Sequence, residues 1–230
     1  MRYNLRIVIF SQQPSITFRP LAMAGGHSVS YNCPVYTIYS TEGIILRASN
    51  SGEDDRSYLI FTKDFGLLKA EGRSVRKLQS KLRYSLQTYS FVDVSLVRGR
   101  GKWKIASCVL KRNFFSDMNG QVGAKIILAR ICALVLRLVQ GEERNEALFN
   151  NLLSGIFFLV DKKPEGNFLR NVEYLLALRV LHSLGYLGEE PIWKAFTETS
   201  LFETDLLMKI DLAKREVLST INSSLRETHL

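Results

Sequence analysis

Between Thr37 and Leu110 apolar side chains recur at every second position in short runs, and turn-forming residues stop each run. "TEGIILRAS" (41–49) reads as a first strand, closed by "NSGEDD". "RSYLIFT" (56–62) is a second, followed by the turn "KDFG", and "LLKAEG" (67–72) is a third. A basic connector leads to "YSFVDVSLV" (89–97), whose alternation sets Phe91, Asp93, Ser95 and Val97 on one face and Val92, Val94 and Leu96 on the other. "GRG" then turns the chain into "KWKIASCVL" (102–110), with Trp103, Ile105, Ser107 and Val109 on one face. Five short strands with a long connector between the third and fourth suit a small closed β-barrel of the OB type; an SH3-like barrel is the competitor on pattern alone.

Beyond Asn113 the period changes to 3.6. "GQVGAKIILARICALVLRLVQG" (120–141) predicts a helix ending on Gly141, and "EERNEALFNNLLSGIFFLV" (142–160) opens with acids that suit a helix N-terminus. "KKPEGN" interrupts the pattern before a third helix, "FLRNVEYLLALRVLHSLGYL" (168–187), and a last one, "ETDLLMKIDLAKREVLSTINSSLRE" (203–227). The expected fold class is α+β and multidomain: a five-stranded OB-fold β-barrel over residues 35–112, then an α-helical C-terminal domain over 113–230. Residues 1–34 mix Pro, Gly and Ser with short apolar pieces and no sustained period. They read as a poorly ordered N-terminal extension, or as sequence ahead of the true start, and "LRIVIF" is too short for a signal-peptide core.

Charge changes the picture more than composition does. With 46% hydrophobic and 23% charged residues the chain is of ordinary globular make-up, but its net charge is +9. Residues 69–112 alone hold 12 basic and 2 acidic side chains, whereas residues 113–230 hold 13 and 15. Such a localised basic patch is what a phosphate-backbone binder needs; a solvated charged face is the plain alternative. The three cysteines, Cys33, Cys108 and Cys132, are far apart and odd in number, which favours reduced thiols over a disulfide framework or a zinc site. The densest apolar run, "KIILARICALVLRLV", is broken by Arg130 and Arg137 and reads as a buried helix, so no membrane span is expected.

Several words of this sequence, in their order, resemble the RecO family of bacterial DNA repair proteins. They are "TEGIILR" (41–47), "GEDDR" (52–56), "LIFTKDFG" (59–66), "LQTYSFVDVSLVRGRG" (86–101) and "YLLALRVLHSLGYL" (174–187). The likeness covers roughly residues 38–190. It implies an N-terminal OB-fold, a helical C-terminal domain and no catalytic chemistry. It further implies that the chain binds and anneals single-stranded DNA and helps load recombinase onto DNA coated by single-strand-binding protein. The implied partners are RecR, the acidic C-terminal tail of single-strand-binding protein and, indirectly, the recombinase filament, in a cytoplasmic, nucleoid-associated setting. Many relatives carry four zinc-binding cysteines just after the "LGY" helix; "GEEPIWKAFTETSLF" (188–202) contains none, so no metal or other cofactor is expected.

A single-strand binder needs cations along the backbone and flat faces for bases. OB-folds place these on strands two and three, edged by the loops after strands one and four. The candidate DNA-binding residues are therefore Arg98, Arg100, Lys102 and Lys104 of "VRGRGKWKI", Lys69, and the connector residues Arg73, Arg76, Lys77, Lys81, Arg83 and Tyr84. Trp103 alternates with Ile105 and Val109, which favours a core role over stacking, and Tyr89 is balanced between stacking and packing. The acidic "GEDD" turn would repel DNA, and Arg56 is expected to pair with one of its acids. In the helical part, Arg130, Arg137 and Arg179 sit among aliphatics and are candidates to rim an apolar groove for an acidic tail, or to pair with Glu142, Glu143 or Glu173; Lys125 is a weaker candidate. His27, His182 and His229 are isolated, and no phosphate loop, nucleophile elbow or metal-ligand spacing occurs, so no catalytic residue is assigned. An OB-fold RNA binder and a non-catalytic protein adaptor are the rival readings.

Overall fold

The computed structural model describes residues 37–99, 101–188, 191–199 and 201–228; the extension read over 1–34, Arg100, Cys33 and His229 lie outside them. Strands β1 (Ile38–Ser51), β2 (Asp55–Thr62), β3 (Gly66–Gly72), β4 (Ser90–Gly99) and β5 (Lys102–Asn113) close into a barrel in the order β1-β2-β3-β5-β4. All neighbours are antiparallel except β3 and β5, which close the barrel in parallel through Ala70 with Trp103 and Glu71 with Lys104. This is the five-stranded OB-type arrangement expected from the strand pattern. A short helix, α1 (Leu82–Ser85), lies in the basic connector.

Alternation in β4 puts Val92, Val94 and Leu96 inside the barrel with Ile45, Tyr58, Ile60, Leu68, Trp103 and Ile105. Val75 and Leu86 from the connector join the same interior. In β5 the alternation does not persist. Register moves by one residue between the Leu96–Ile105 and Ser95–Ser107 pairs, leaving Ala106 as a bulge. Beyond it the faces exchange: Cys108 packs toward the interior, and Val109, expected beside Trp103, is 63% exposed.

Another bulge lies in β1, where Leu46 is extra between the Ile45–Ile60 and Arg47–Leu59 pairs. Three consecutive residues are therefore buried. Ile45 faces the barrel interior, while Ile44 and Leu46 join Phe61 and Phe91 in a core shared with the helices. Phe61 meets Phe149 at 5.8 Å between ring centroids, and Phe91 meets Phe157 edge-on at 6.0 Å. Burying four such side chains stabilises the union by roughly 6–12 kcal/mol as an upper estimate. The helices thus roof one side of the barrel.

They are α2 (Phe114–Asp117), α3 (Val122–Leu138), α4 (Glu146–Lys162), α5 (Gly166–Ser183), α6 (Pro191–Thr197), α7 (Thr204–Leu212) and α8 (Lys214–Glu227). The middle of α5 is buried continuously from Leu175 to Leu181 because its neighbours surround it. Helix α4 starts four residues later than its acids suggest. Asn145 caps it by accepting from the Leu148 amide at 2.9 Å, which frees residues 142–144 as a linker. The last predicted helix is two, separated at Ala213, and α6 forms in a stretch for which no element was read. Among the described residues no helix is long and apolar enough to cross a membrane.

Candidate nucleic-acid interface

The outer face of β1, β2 and β3 divides into a covered and an open half. Ile44, Phe61 and Leu67 form one cross-strand row, and the helices cover it. Further along the strands, Arg47 pairs with Leu59, and Leu59 with Lys69. Arg47 and Lys69 are exposed, Leu59 is half-buried, and neither cation has an ion pair among the described residues. Lys102 sits at the level of Lys69, one residue before the paired Ala70 and Trp103. An apolar side chain flanked by cations, running across the strands, is what a backbone with stackable bases requires. Lys69 and Lys102 were visible as candidates in the sequence. Arg47 and Leu59 were not, because only the strand register brings them beside Lys69.

Folding also returns acids to much of the basic segment. Lys77 pairs with Asp54 at 3.4 Å, Lys102 with Glu71 at 3.3 Å and Arg98 with Glu142 at 3.6 Å. Arg76 donates to the Glu53 carbonyl at 2.7 Å, and Asp55 accepts from the Ser74 amide, also at 2.7 Å. The "GEDD" turn therefore holds the connector in place. Arg56 does not pair with its acids; it donates to Asn50 Oδ1 at 3.3 Å. Arg73, Lys81 and Arg83 are exposed, Lys104 is half-buried, and all four lack an ion pair among the described residues. Exposed pairs such as Lys77–Asp54 contribute about 0–1 kcal/mol each, so a polyanion can compete for them. Lys111 and Arg112, at the far end of β5, are held by Glu42 with Asp93 and by Asp161 with Asp117, and their pKa values are raised by those hydrogen bonds.

The β4–β5 hairpin faces partly toward the helices. Trp103 is buried and donates its indole N–H to Glu142 at 2.8 Å, which excludes it as a base-stacking ring. The Arg98 guanidinium lies 5.2 Å from the Trp103 ring centroid. Arg98 thus lies at the barrel–helix junction on the Trp103 side of the hairpin, and strand alternation turns Lys102 and Lys104 to the other face. Arg100 lies outside the described residues. The same linker explains "TKDFG". Thr62 Oγ1 donates to the Gly66 carbonyl at 2.9 Å and accepts from the Phe65 amide at 3.1 Å. Gly66, at φ +65°, lies against the Glu143 backbone. Lys63–Glu146 (3.4 Å) and Asp64–Arg144 (3.9 Å) bracket that contact. Tyr84 is 68% exposed and open to a base, whereas Tyr89 packs on Phe115 with centroids 6.3 Å apart.

The three helical arginines do not share a rim. Arg130 pairs with Glu173 at 3.1 Å beside a cavity of about 370 Å³ between α3, α5 and α8, lined also by Arg170, Tyr174, Ile221 and Leu225. Arg137 is exposed near the end of α3 and does not line it. Arg179 is fully buried, which removes it from any rim. It donates to the Phe196 and Leu201 carbonyls at 2.8 Å each, lies 4.4 Å from the Phe202 ring centroid, and has Nη1 unpaired. No carboxylate is within ion-pair distance among the described residues, and burial pushes its pKa down to about 10. Burial likewise pushes the Cys108 and Cys132 thiols up to about 12.

The barrel coincides with a known domain family: residues 37–114 match the model for the recombination protein O N-terminal domain. A DNA repair protein RecO of Dehalococcoides mccartyi is 35% identical over 117 residues, 50% of this chain and 46% of that protein. The RecO proteins of Alkaliphilus metalliredigens and Clostridium novyi are 29% and 25% identical over 67% and 65% of this chain, covering 60% and 57% of theirs. The chain spans about half the length of the curated relatives with which it aligns first. Over the barrel at residues 37–114, the chain is similar to the N-terminal domain of RecO proteins.

Proposed function

We propose that this chain is a DNA repair and recombination mediator that binds single-stranded DNA across the open half of the barrel face. The observation that carries the reading is the Arg47–Leu59–Lys69 row, flanked by Lys102 and Lys104. Arg73, Lys81, Arg83 and Tyr84 extend the same cationic surface from the connector, and Arg76 and Lys77 join it when phosphate replaces their present partners. A row of cations on an open sheet grips the backbone without enclosing it, so bases stay free to meet a complementary strand. That is the physical requirement for annealing. Phosphates displace condensed counterions on binding, so affinity falls steeply with salt.

In this reading the barrel over 35–112 carries the DNA, and the helical domain over 113–230 carries protein partners. The cavity edged by Arg130 and Arg170 suits the acidic tail of single-strand-binding protein, whose carboxylates an arginine holds in bidentate fashion. RecR and, through it, the recombinase filament complete the set, and the protein acts without catalysis in the cytoplasm near the nucleoid. The test is annealing of complementary strands coated with single-strand-binding protein. Faster annealing with this chain, abolished by combined Arg47→Ala and Lys69→Ala, is expected. No single-strand binding even at low salt overturns the reading, and preference for a matched RNA strand transfers it to RNA.

A further inference from the structure

The cationic row does not have to end at Arg47. Beyond β1 at that level the next backbone is Tyr89, whose amide donates to the Ile45 carbonyl at 2.7 Å. The Tyr89 carbonyl accepts from the Phe114 amide at 3.2 Å, so Tyr89 is pinned between the barrel and the first helical turn. It holds φ +65°, a left-handed conformation that penalises a non-glycine residue and persists only where the surroundings impose it. Its ring stacks on Phe115 with an interplanar angle of 27°, and Lys125 Nζ lies 4.2 Å from the Phe115 centroid. Packing alone does not call for this: Phe114 fills the core at 0% exposure, whereas Phe115 leaves 47% of its surface in water. Burial raises the Tyr89 hydroxyl pKa, and the Arg47 charge opposes that rise, so the two side chains feel one another.

We propose that Tyr89, Phe115 and Lys125 form a second nucleotide station, which carries a single strand from the barrel row onto the helical part. This rests on the single-strand reading above. One base stacks on Phe115, backed by Tyr89, and the flexible Lys125 stem swings its ammonium from the ring to the neighbouring phosphate. The station discriminates nucleic acid by its bases, whereas Arg47 and Lys69 respond to phosphate alone.

That difference supplies the test. The full chain is titrated by fluorescence anisotropy with an oligothymidine of about 20 nucleotides, longer than the 4–16 that an OB-fold occupies, and with a base-free abasic strand of equal length. Phe115→Ala and Phe115→Leu are each expected to weaken the oligothymidine about 5- to 150-fold, the worth of one stacked base, and to leave the abasic strand within about twofold. Lys125→Gln lowers the log–log salt slope by about 0.7, one phosphate contact. Equal loss on both strands, no loss on either, or full affinity retained by Phe115→Leu overturns the station. If Arg47→Ala and Lys69→Ala still weaken both strands, only the station falls. If the unaltered chain binds neither strand, the single-strand reading falls with it.

Discussion

Gly66→Ala probes the contact that fixes the barrel against the helices. Gly66 holds φ +65°, where any side chain collides with its own backbone at a cost of about 1–2 kcal/mol. A Cβ there would also lie 2.1 Å from the Glu143 carbonyl oxygen and 2.9 Å from its amide nitrogen. Both are backbone atoms, so the linker itself must move. Overpacking of that kind adds about 1–3 kcal/mol, and loss of the Lys63–Glu146 and Asp64–Arg144 geometry adds little more. The total is about 2–5 kcal/mol. Gly52→Ala is the control, because Gly52 has φ +80° and a Cβ added to it would meet nothing within 4 Å, leaving only the conformational part. For a folded unit of this size each kcal/mol moves Tm by about 2–4 °C, so Gly66→Ala should fall roughly 4–20 °C and Gly52→Ala no more than about 8 °C. Thermal and urea unfolding followed by circular dichroism measure both. Equal losses in the two variants would refute the idea that the "TKDFG" glycine exists to admit the linker.

Further expectations follow from other contacts. Trp103→Phe removes the indole bond to the Glu142 carboxylate and should destabilise by about 1.5 kcal/mol in urea unfolding, while leaving single-strand affinity within twofold; a large affinity loss would return Trp103 to the binding face. With Cys33 replaced by Ser, the native chain should react negligibly with a thiol reagent at pH 8. Thiols whose pKa lies near 12 are thiolate only to about one part in ten thousand there, and two reactive groups should appear on unfolding. Arg130→Ala and Arg170→Ala should weaken an acidic tail peptide in calorimetric titration while sparing naked DNA, and Arg137→Ala should change neither. Arg179→Ala strands the Phe196 and Leu201 carbonyls and should destabilise by about 3 kcal/mol, lowering amide-exchange protection at Phe196 and Leu201.

The barrel was legible because strand alternation and turn residues are local signals. Val92, Val94 and Leu96 fell inside as the pattern requires. Most of the failures depend on residues far along the chain. Alternation in β5 breaks at Ala106 because of pairing with β4, which displaces Val109 to the surface. Glu142 and Glu143 look like a helix start, yet Asn145 makes the cap and Glu142 reaches across to Trp103. The basic segment looks unopposed in one dimension, but Asp54 and Glu142 return to Lys77 and Arg98 from outside it, and Glu71 within it meets Lys102. Arg179, an arginine among aliphatics, reads as a snorkelling rim residue and is instead a buried pin for Phe196, Leu201 and Phe202. Arg47 could have been noticed as the outward residue at the end of "TEGIILR", but its alignment with Leu59 and Lys69 is a fact of register, which sequence alone does not supply.

The proposed path of single-stranded DNA follows the Arg47–Leu59–Lys69 row. Its most direct test is the salt dependence of single-strand affinity for the unaltered chain, Arg47→Ala, Lys69→Ala and Arg98→Ala. The row predicts that Arg47→Ala and Lys69→Ala each reduce the log–log slope by about 0.7, while Arg98→Ala, engaged with Glu142 and Trp103, leaves it unchanged. Slopes unaltered by the first two and lowered by the third would contradict the account and move the strand to the β4–β5 hairpin.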